Sequence, residues 1–445
     1  MKIVRDWLFI ILFFSNIPAS AGSNGVAFGG FESKPEKGQI SFSNPGYEIS
    51  HILKDGAPFI KPEMEGAGSK SEPGQPDLPT MSTYYAVEPG KIFTINASIK
   101  ESEVIENVEV APFETWNSQP TGVIEKGVTY QQSSSFPANI ATVSDPMVFR
   151  DIVMVQVSVT PFQYNPVSKT LTVIQEIDLE LVESGATEVP YIPQQKSREF
   201  EILYESLVVN YPSITREGEE VYQRPSILYV LPNNIGNLLG TVEELMNWKK
   251  RVGFDVQYVS TSNIVNNRNN LKNYIEDAYE TWENPPVHVT IVGDVDGSYD
   301  IPTWNESYSG YSGEGDMPYT TLEGNDVYPE VFIGRMSFST SSHLNTIISK
   351  TLNYESNPYM SEKWFQRACL VGDASTSGIS CVITNEAINE IMDISGIDDV
   401  NTVYSGSFPS QMVAGLNEGV GFFNYRGYYG AVSYTHLTLP TKVTV

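Results

Sequence analysis

Apolar and polar residues alternate with period two through the first part of this chain, then settle into helical stripes separated by short apolar runs. Val153, Val155, Val157 and Val159 alternate with Met154, Gln156, Ser158 and Thr160. After the turn residues Asn165 and Pro166, a second run sets Ile177, Leu179 and Leu181 against Asp178 and Glu180. That period marks strands, and the two runs predict a hairpin with one buried face. Shorter runs at 84–87 and 92–99 have the same character, so residues 22–182 are expected to form an all-β domain. Periodicity fades over 183–225 while Ser, Thr, Glu and Pro accumulate, which predicts a linker or an extended segment lying over a neighbour.

From 226 the grammar changes. An apolar run at 227–231 has the length of a strand, and Thr241 with Glu244 forms a capping box ahead of a stripe of Val242, Leu245 and Met246. A strand at 256–259 is followed by Leu271, Tyr274, Ile275, Ala278 and Tyr279, spaced as one helix face. A strand at 287–292 runs into Gly293 and Asp294. Further strands are expected at 331–333, 369–371, 402–404 and 420–424, with helices carrying Leu344, Ile347, Ile348 and Leu352 and, later, 388–392. Alternating β and α units predict a mostly parallel sheet covered by helices on both faces, with its site at the carboxyl ends of the strands.

Composition narrows the class. The 445 residues, 40% of them hydrophobic, suffice for roughly two to three domains of about 100 to 200 residues. Lys and Arg number 27 against 54 Asp and Glu, a formal net charge of −27. Such a surface repels phosphate backbones and anionic lipid, and no basic patch interrupts it, which argues against nucleic-acid binding. At the N-terminus Lys2 and Arg5 precede an apolar run at 7–14 and the small residues Ala19, Ser20 and Ala21. Residues 1–21 are therefore expected to be a cleavable secretory signal, placing the protein outside the cell or on its surface. No later run approaches about 18 apolar residues, so no membrane span is expected after cleavage. Cys369 and Cys381 are the only cysteines, too few for a disulfide scaffold.

Two blocks carry a family likeness. EGNDVYPEVFIGR over 323–335, followed by a helix and NYE at 353–355, resembles the catalytic domain of gingipain-type cysteine peptidases. GVGFFNYRGYYG over 419–430 is similar to the strand and turn that this family writes roughly as NYxGHG. GQPDLP at 74–79 and the run VTPFQYNPVSKTLTV resemble the family's propeptide. The resemblance implies a signal peptide at 1–21, a β-rich propeptide domain at 22–182, a linker at 183–225 and a caspase-like α/β peptidase domain at 226–431. It also implies protein or peptide substrates, a prodomain held intramolecularly, and chemistry that requires no cofactor.

A thiol peptidase needs a thiolate nucleophile and an imidazole that takes and returns its proton. In the family the imidazole belongs to the GHG turn and the thiol to a Cys on the next strand. Here Tyr428 stands at the histidine position, while Tyr425, Gly427 and Gly430 keep the framework of the turn. A phenol with a pKa near 10 is a poor base at neutral pH. The nucleophile strand is expected beyond 430, whereas 432–445 resembles a translated sequencing-adapter tail and is set aside with His436. The peptidase domain is thus expected to be incomplete at its C-terminal end, with no nucleophile in the chain.

By the same resemblance, Asp373, just past the strand at 369–371, is the nearest residue to the family's acid that orients the histidine; Ala374 and Ser375 follow it, and a structural turn is the alternative. Cys369 is expected to pack in the core, and Cys381, in a Ser- and Gly-rich loop, to be better exposed or bonded to Cys369. His288 suits a satisfied strand position, and His51 and His343 structural or solvated ones. Asp294, Asp296, Glu323 and Asp326 are candidate calcium ligands because hard oxygens suit that ion, though no full loop pattern is present. Arg216 in ITREGEE is the expected processing site. Two readings follow: a secreted cysteine endopeptidase precursor, or a catalytically inactive caspase-like surface protein of a secretion or adhesion system. A lectin-like or adhesin module would leave the second half unexplained.

Overall fold

The structure, a computed structural model, describes residues 29–54, 56–113, 126–188, 191–211, 222–264, 266–308, 311–324, 326–356 and 363–427. The expected signal at 1–21, Arg216, Tyr428, Gly430 and the segment 432–445 lie outside the described residues.

The N-terminal domain is built from strands that include β1 (Gln39–Ser43), β2 (Pro79–Val87), β3 (Lys91–Ile105), β4 (Met147–Phe149), β5 (Ile152–Val159), β6 (Phe162–Asn165) and β7 (Thr170–Ala186). One sheet gathers β1, β6 and β3 around the long β7, and the other gathers β2 and β4 around β5. Their inner faces share a core of Ile40 and Phe42 from β1, Leu171, Val173 and Leu179 from β7, and Val155, Val157 and Val159 from β5. The expected pairing of the 153–159 run with the 177–181 run is not made. The turn at Asn165 joins β6 to β7, and β5 lies in the facing sheet. Nor does β5 have one buried face: its even positions Ile152 and Met154 are buried too, against the linker. β7 also runs past the expected boundary at 182.

Gly30 shows how tightly this sandwich closes. It has a φ of +91°, and a Cβ there would stand 2.1 Å from the carbonyl oxygen of Ser43. Gly30→Ala should lower unfolding free energy by about 2 kcal/mol in chemical denaturation, because both the dihedral and the contact forbid a side chain.

The linker is not merely extended. Residues 198–207 form helix α1 (Arg198–Leu207), whose buried Phe200 and Tyr204 sit four apart on one face. They pack with Ala86, Phe149, Ile152 and Met154 of the first domain and with Val287 and Tyr328 of the second. The linker helix is a wedge between the two.

In the second domain, β8 (Ser226–Leu231), α2 (Leu239–Arg251), β9 (Asp255–Ser260), α3 (Arg268–Thr281) and β10 (His288–Val292) lead to a hairpin of β11 (Trp304–Tyr308) and β12 (Tyr311–Gly315). Then follow β13 (Phe332–Met336) and α4 (Ser341–Ser356). The sheet order is β9-β8-β10-β13, with every pairing parallel. Alternation along β8 explains both layers. Leu228 and Val230 meet Leu271, Ile275 and Tyr279 of α3, whereas Ile227, Tyr229 and Leu231 meet Val242 and Leu245 of α2 and Leu344 and Ile348 of α4. Thr241 does not cap α2, which starts at Leu239; its hydroxyl donates to Asn345 Oδ1 at 3.0 Å.

A second parallel sheet holds β14 (Arg367–Gly372), covered by α5 (Ser380–Ile394) on one face, then β15 (Asp399–Val403), α6 (Phe408–Glu418) and β16 (Phe422–Arg426). Its order is β15-β14-β16, so the described strands of the second domain form two parallel sheets and a separate hairpin rather than the single sheet expected.

Candidate functional site

The carboxyl ends of β14 and β16 bring the turn and the acid together. In register, Cys369 lies beside Phe423 and Gly372 beside Arg426, and the Asp373 N–H donates to the Arg426 carbonyl at 2.8 Å. A Cβ on Gly427 would stand 2.6 Å from Tyr425 Oη and 2.8 Å from the Cβ of Asp373. Tyr425, Gly427 and Asp373 therefore converge, and only glycine allows the turn to run this close to the strand end. Asp373 also caps the short helix Ala374–Ser377. Its Oδ1 accepts the Ser375 N–H at 3.0 Å and the Ser375 hydroxyl, so Ser375 orients this carboxylate.

Beneath the turn lies a polar pair absent from the sequence expectations. Asn385, fully buried on α5, donates to the carbonyls of Val371 at 2.9 Å and Cys381 at 3.0 Å. Asn424 of β16 donates to Asn385 Oδ1 at 2.8 Å. An Asn inside the apolar stripe of Val382, Ile388 and Met392 was the available signal, since a polar residue at a core position needs a partner.

The cysteines occupy opposite faces of β14. Cys369 packs with Val371, Val403 and Met412 toward α6, and burial, with the charge of Glu418, pushes its thiol up. Cys381 is not in an exposed loop. It lies buried in the first turn of α5, on the face where Leu370 meets Met392. Both are free thiols, so the bond considered above is not made. Neither has the electropositive, accessible surroundings of a nucleophile. His288 sits at the amino end of β10, stacked on Phe332 at 5.4 Å and edge-on to Phe254 at 6.1 Å, and burial lowers its pKa. That is the end of the strand remote from any carboxyl-end cleft.

The four expected calcium ligands are not brought together. Among the described residues no three side chains of His, Cys, Asp or Glu gather into a metal-holding group. Asp294 Oδ1 accepts the Val295 N–H at 2.9 Å, and Asp296 precedes a short helical turn at Gly297–Tyr299. Glu323 and Asp326 face the other way, toward the linker and the first domain. Glu323 accepts the Ile192 N–H and the Tyr279 hydroxyl, and Asp326 Oδ2 accepts the Val148 N–H at 2.8 Å. Burial pushes Glu323 up to about 7 and Glu330 up to about 8, despite the N–H donors of Leu322 and Glu323 that Glu330 accepts. Carboxylates committed to peptide N–H groups are poor cation cages.

Asp151 titrates at the same junction. Burial pushes its carboxyl up to about 6, opposed by the hydrogen bond from the Tyr204 hydroxyl at 2.6 Å and by the Arg150 charge. A folded-state pKa above the unfolded value of about 3.9 means the stabilising contribution is complete below that pH and is lost as pH rises through the folded value. Asp151→Asn should therefore flatten the fall in stability between about pH 4 and 6. Denaturation midpoints measured across that range check it, and an unchanged slope would remove Asp151 from the account.

Comparison with known proteins decides the family. The model of peptidase family C25 matches residues 221–442, and that of its propeptide matches 33–227. The chain belongs to the gingipain-type cysteine peptidase family. Gingipain R2 of Porphyromonas gingivalis strain W83 is 28% identical over 382 residues, covering 80% of this chain and 49% of that protein. Lys-gingipain of the same species is 24% identical over 426 residues, covering 90% of this chain and 24% of that one. The crystal structure of the Arg-specific proteinase gingipain R aligns at a TM-score of 0.40 and 26% identity over 47% of this chain and 48% of that one. The chain thus spans about half the length of gingipain R2. The C25 match reaches into the segment 432–445 that was set aside for its resemblance to an adapter tail. The gingipain propeptide match covers both the N-terminal sandwich and α1, so the wedge helix belongs with the propeptide.

Proposed function

We propose that this chain is part of the secreted precursor of a gingipain-like cysteine endopeptidase, with the N-terminal sandwich as its intramolecular prodomain. The observation that carries this reading is the convergence of Asp373, Tyr425 and Gly427 at the carboxyl ends of β14 and β16. In this reading Asp373 orients a base supplied at the turn, and the nucleophilic thiol comes from outside residues 29–427, because both thiols inside that range are buried. Peptide or protein substrates follow from the chemistry of the family.

Purified full-length protein is expected to hydrolyse peptide substrates and to lose all activity on thiol alkylation. Tyr428 favours the second reading, a caspase-like binding protein without catalysis. A folded full-length protein that cleaves no peptide before or after linker processing would establish that reading instead. Processing is expected after Arg216, so N-terminal sequencing of secreted material should find chains beginning at Glu217; an intact Arg216 in the mature form would contradict the zymogen reading.

A further inference from the structure

A guanidinium is locked away at the junction of the first domain, the linker and the peptidase domain. Arg150 occupies the tight turn between β4 and β5 with a φ of +53°, and none of its surface is exposed. A non-glycine residue stays in the left-handed region only where its surroundings hold it there. Those surroundings form a socket. Nη1 donates to the carbonyl of Glu330 and, at 3.3 Å, to that of Pro286; Nη2 donates to Gln223 Oε1 at 2.6 Å. The guanidinium carbon lies 5.1 Å from the ring of Phe200 and 5.4 Å from that of Tyr279, and the Tyr279 hydroxyl donates back to the Arg150 carbonyl at 3.4 Å. Gln223 is itself aimed by a bond from its amide to the Pro285 carbonyl at 3.0 Å.

The ownership of these groups matters. A cut within 212–221 would leave Arg150 and Phe200 on the N-terminal piece, while Gln223, Tyr279, Pro286 and Glu330 would stay with the peptidase domain. The socket therefore offers three convergent oxygens and one aromatic face to a cation delivered from another segment. Planarity and forked donors suit guanidinium to such a socket, and an ammonium group cannot reach all three oxygens in one plane.

We infer that Gln223, Tyr279, Pro286 and Glu330 form a guanidinium-binding site on the peptidase domain, and that Arg150 filling it holds the prodomain in place independently of the connecting chain. This rests on the prodomain reading above. A buried cation also suits a contact that must later separate, because the guanidinium regains its hydration when it leaves. A wholly apolar plug would have no such pull toward water.

The test uses the full chain with a specific protease site placed within 212–221, cut and then assayed for association of the two pieces. Wild-type pieces should stay together, Arg150→Ala should weaken association about 100-fold, and Arg150→Lys should fall between them. Methylguanidinium at millimolar concentration should partly restore association of the Arg150→Ala pieces and leave the wild type unchanged. Association of Arg150→Ala within threefold of wild type, or no restoration by methylguanidinium, overturns the inference. Where Arg150→Ala does not fold, Gln223→Leu in the same assay decides: tenfold weakening supports the site and no change refutes it. The readout is binding, so a protein that proves catalytically inactive leaves it intact.

Discussion

Arg335→Ala is expected to lower the unfolding free energy by about 3–5 kcal/mol, as breaking one side of a buried ion pair does. Arg335, on β13, makes a bidentate pair with Asp316, both bonds at 2.7 Å, with side chains only 10% and 19% exposed. Its Nη1 also donates to the carbonyls of Gly293, Asp294 and Ile301 at 3.2, 3.2 and 2.9 Å. One side chain thus ties the strand to the loop leaving β10 and to the base of the β11–β12 hairpin, where Thr303 also donates to Asp316 at 2.6 Å. Burial works to raise the Asp316 pKa, but the bonds from Arg335 and Thr303 outweigh it and leave the carboxyl below its usual range. A depressed folded-state pKa means this stabilisation is present above the unfolded pKa and is lost as pH falls through the folded value. The deficit of Arg335→Ala should therefore shrink as pH falls below about 3.9, where Asp316 takes up a proton in the unfolded chain before it does in the folded one. Urea denaturation of wild type and variant at pH 7 and pH 3 measures both statements. An equal deficit at the two pH values would mean that the carbonyl contacts, not the ion pair, carry the effect.

Asn385→Ala should cost about 3 kcal/mol, because it removes three hydrogen bonds at a position with no exposed surface. The Asn424 amide and the Val371 carbonyl would each lose a partner beneath the candidate site, and a cavity would open on α5. Asn385→Asp keeps the acceptor for Asn424 but loses both donors, so it should be no better at neutral pH. Amide exchange along β16 separates a local effect from a global one. Faster exchange at 424–427 beyond the loss in overall stability is expected, and uniform acceleration would reduce Asn385 to a packing residue.

Much of the second domain was legible because its strands are continuous apolar runs between well-spaced helical stripes. The 227–231 run became β8, and Leu271, Ile275, Ala278 and Tyr279 became the buried face of α3. In the first domain the alternation was real, but it could not reveal that β5 is covered on both sides. The second cover comes from α1, whose apolar face is little more than Phe200 and Tyr204 in a charged sequence, too thin to announce a helix without the groove that receives it. Asp373, Tyr425 and Gly427 are neighbours because strand ends in a parallel sheet are adjacent whatever their distance in sequence, and a motif read along the chain marks those ends without showing that they meet. The acidic quartet failed for the converse reason: nearness in sequence put the carboxylates on strand ends and loops that face different ways, two of them toward peptide N–H groups of the prodomain and linker. Arg150 was invisible because an arginine in a turn between strands ordinarily points to water.

The wedge position of α1 also sets an order of assembly. β1 can pair locally with residues 31–33 but cannot join the large sheet until β7 exists, since Gln39 lies beside Glu180, and the groove for α1 needs Val287 and Tyr328 from the far side of the chain. So many sequence-distant partners mean that loop closure must precede the contacts that reward it, which slows folding. The linker helix should be the last element to gain protection in pulse-labelled refolding. Until it docks, α1 stays open to proteolysis, and docking closes that window.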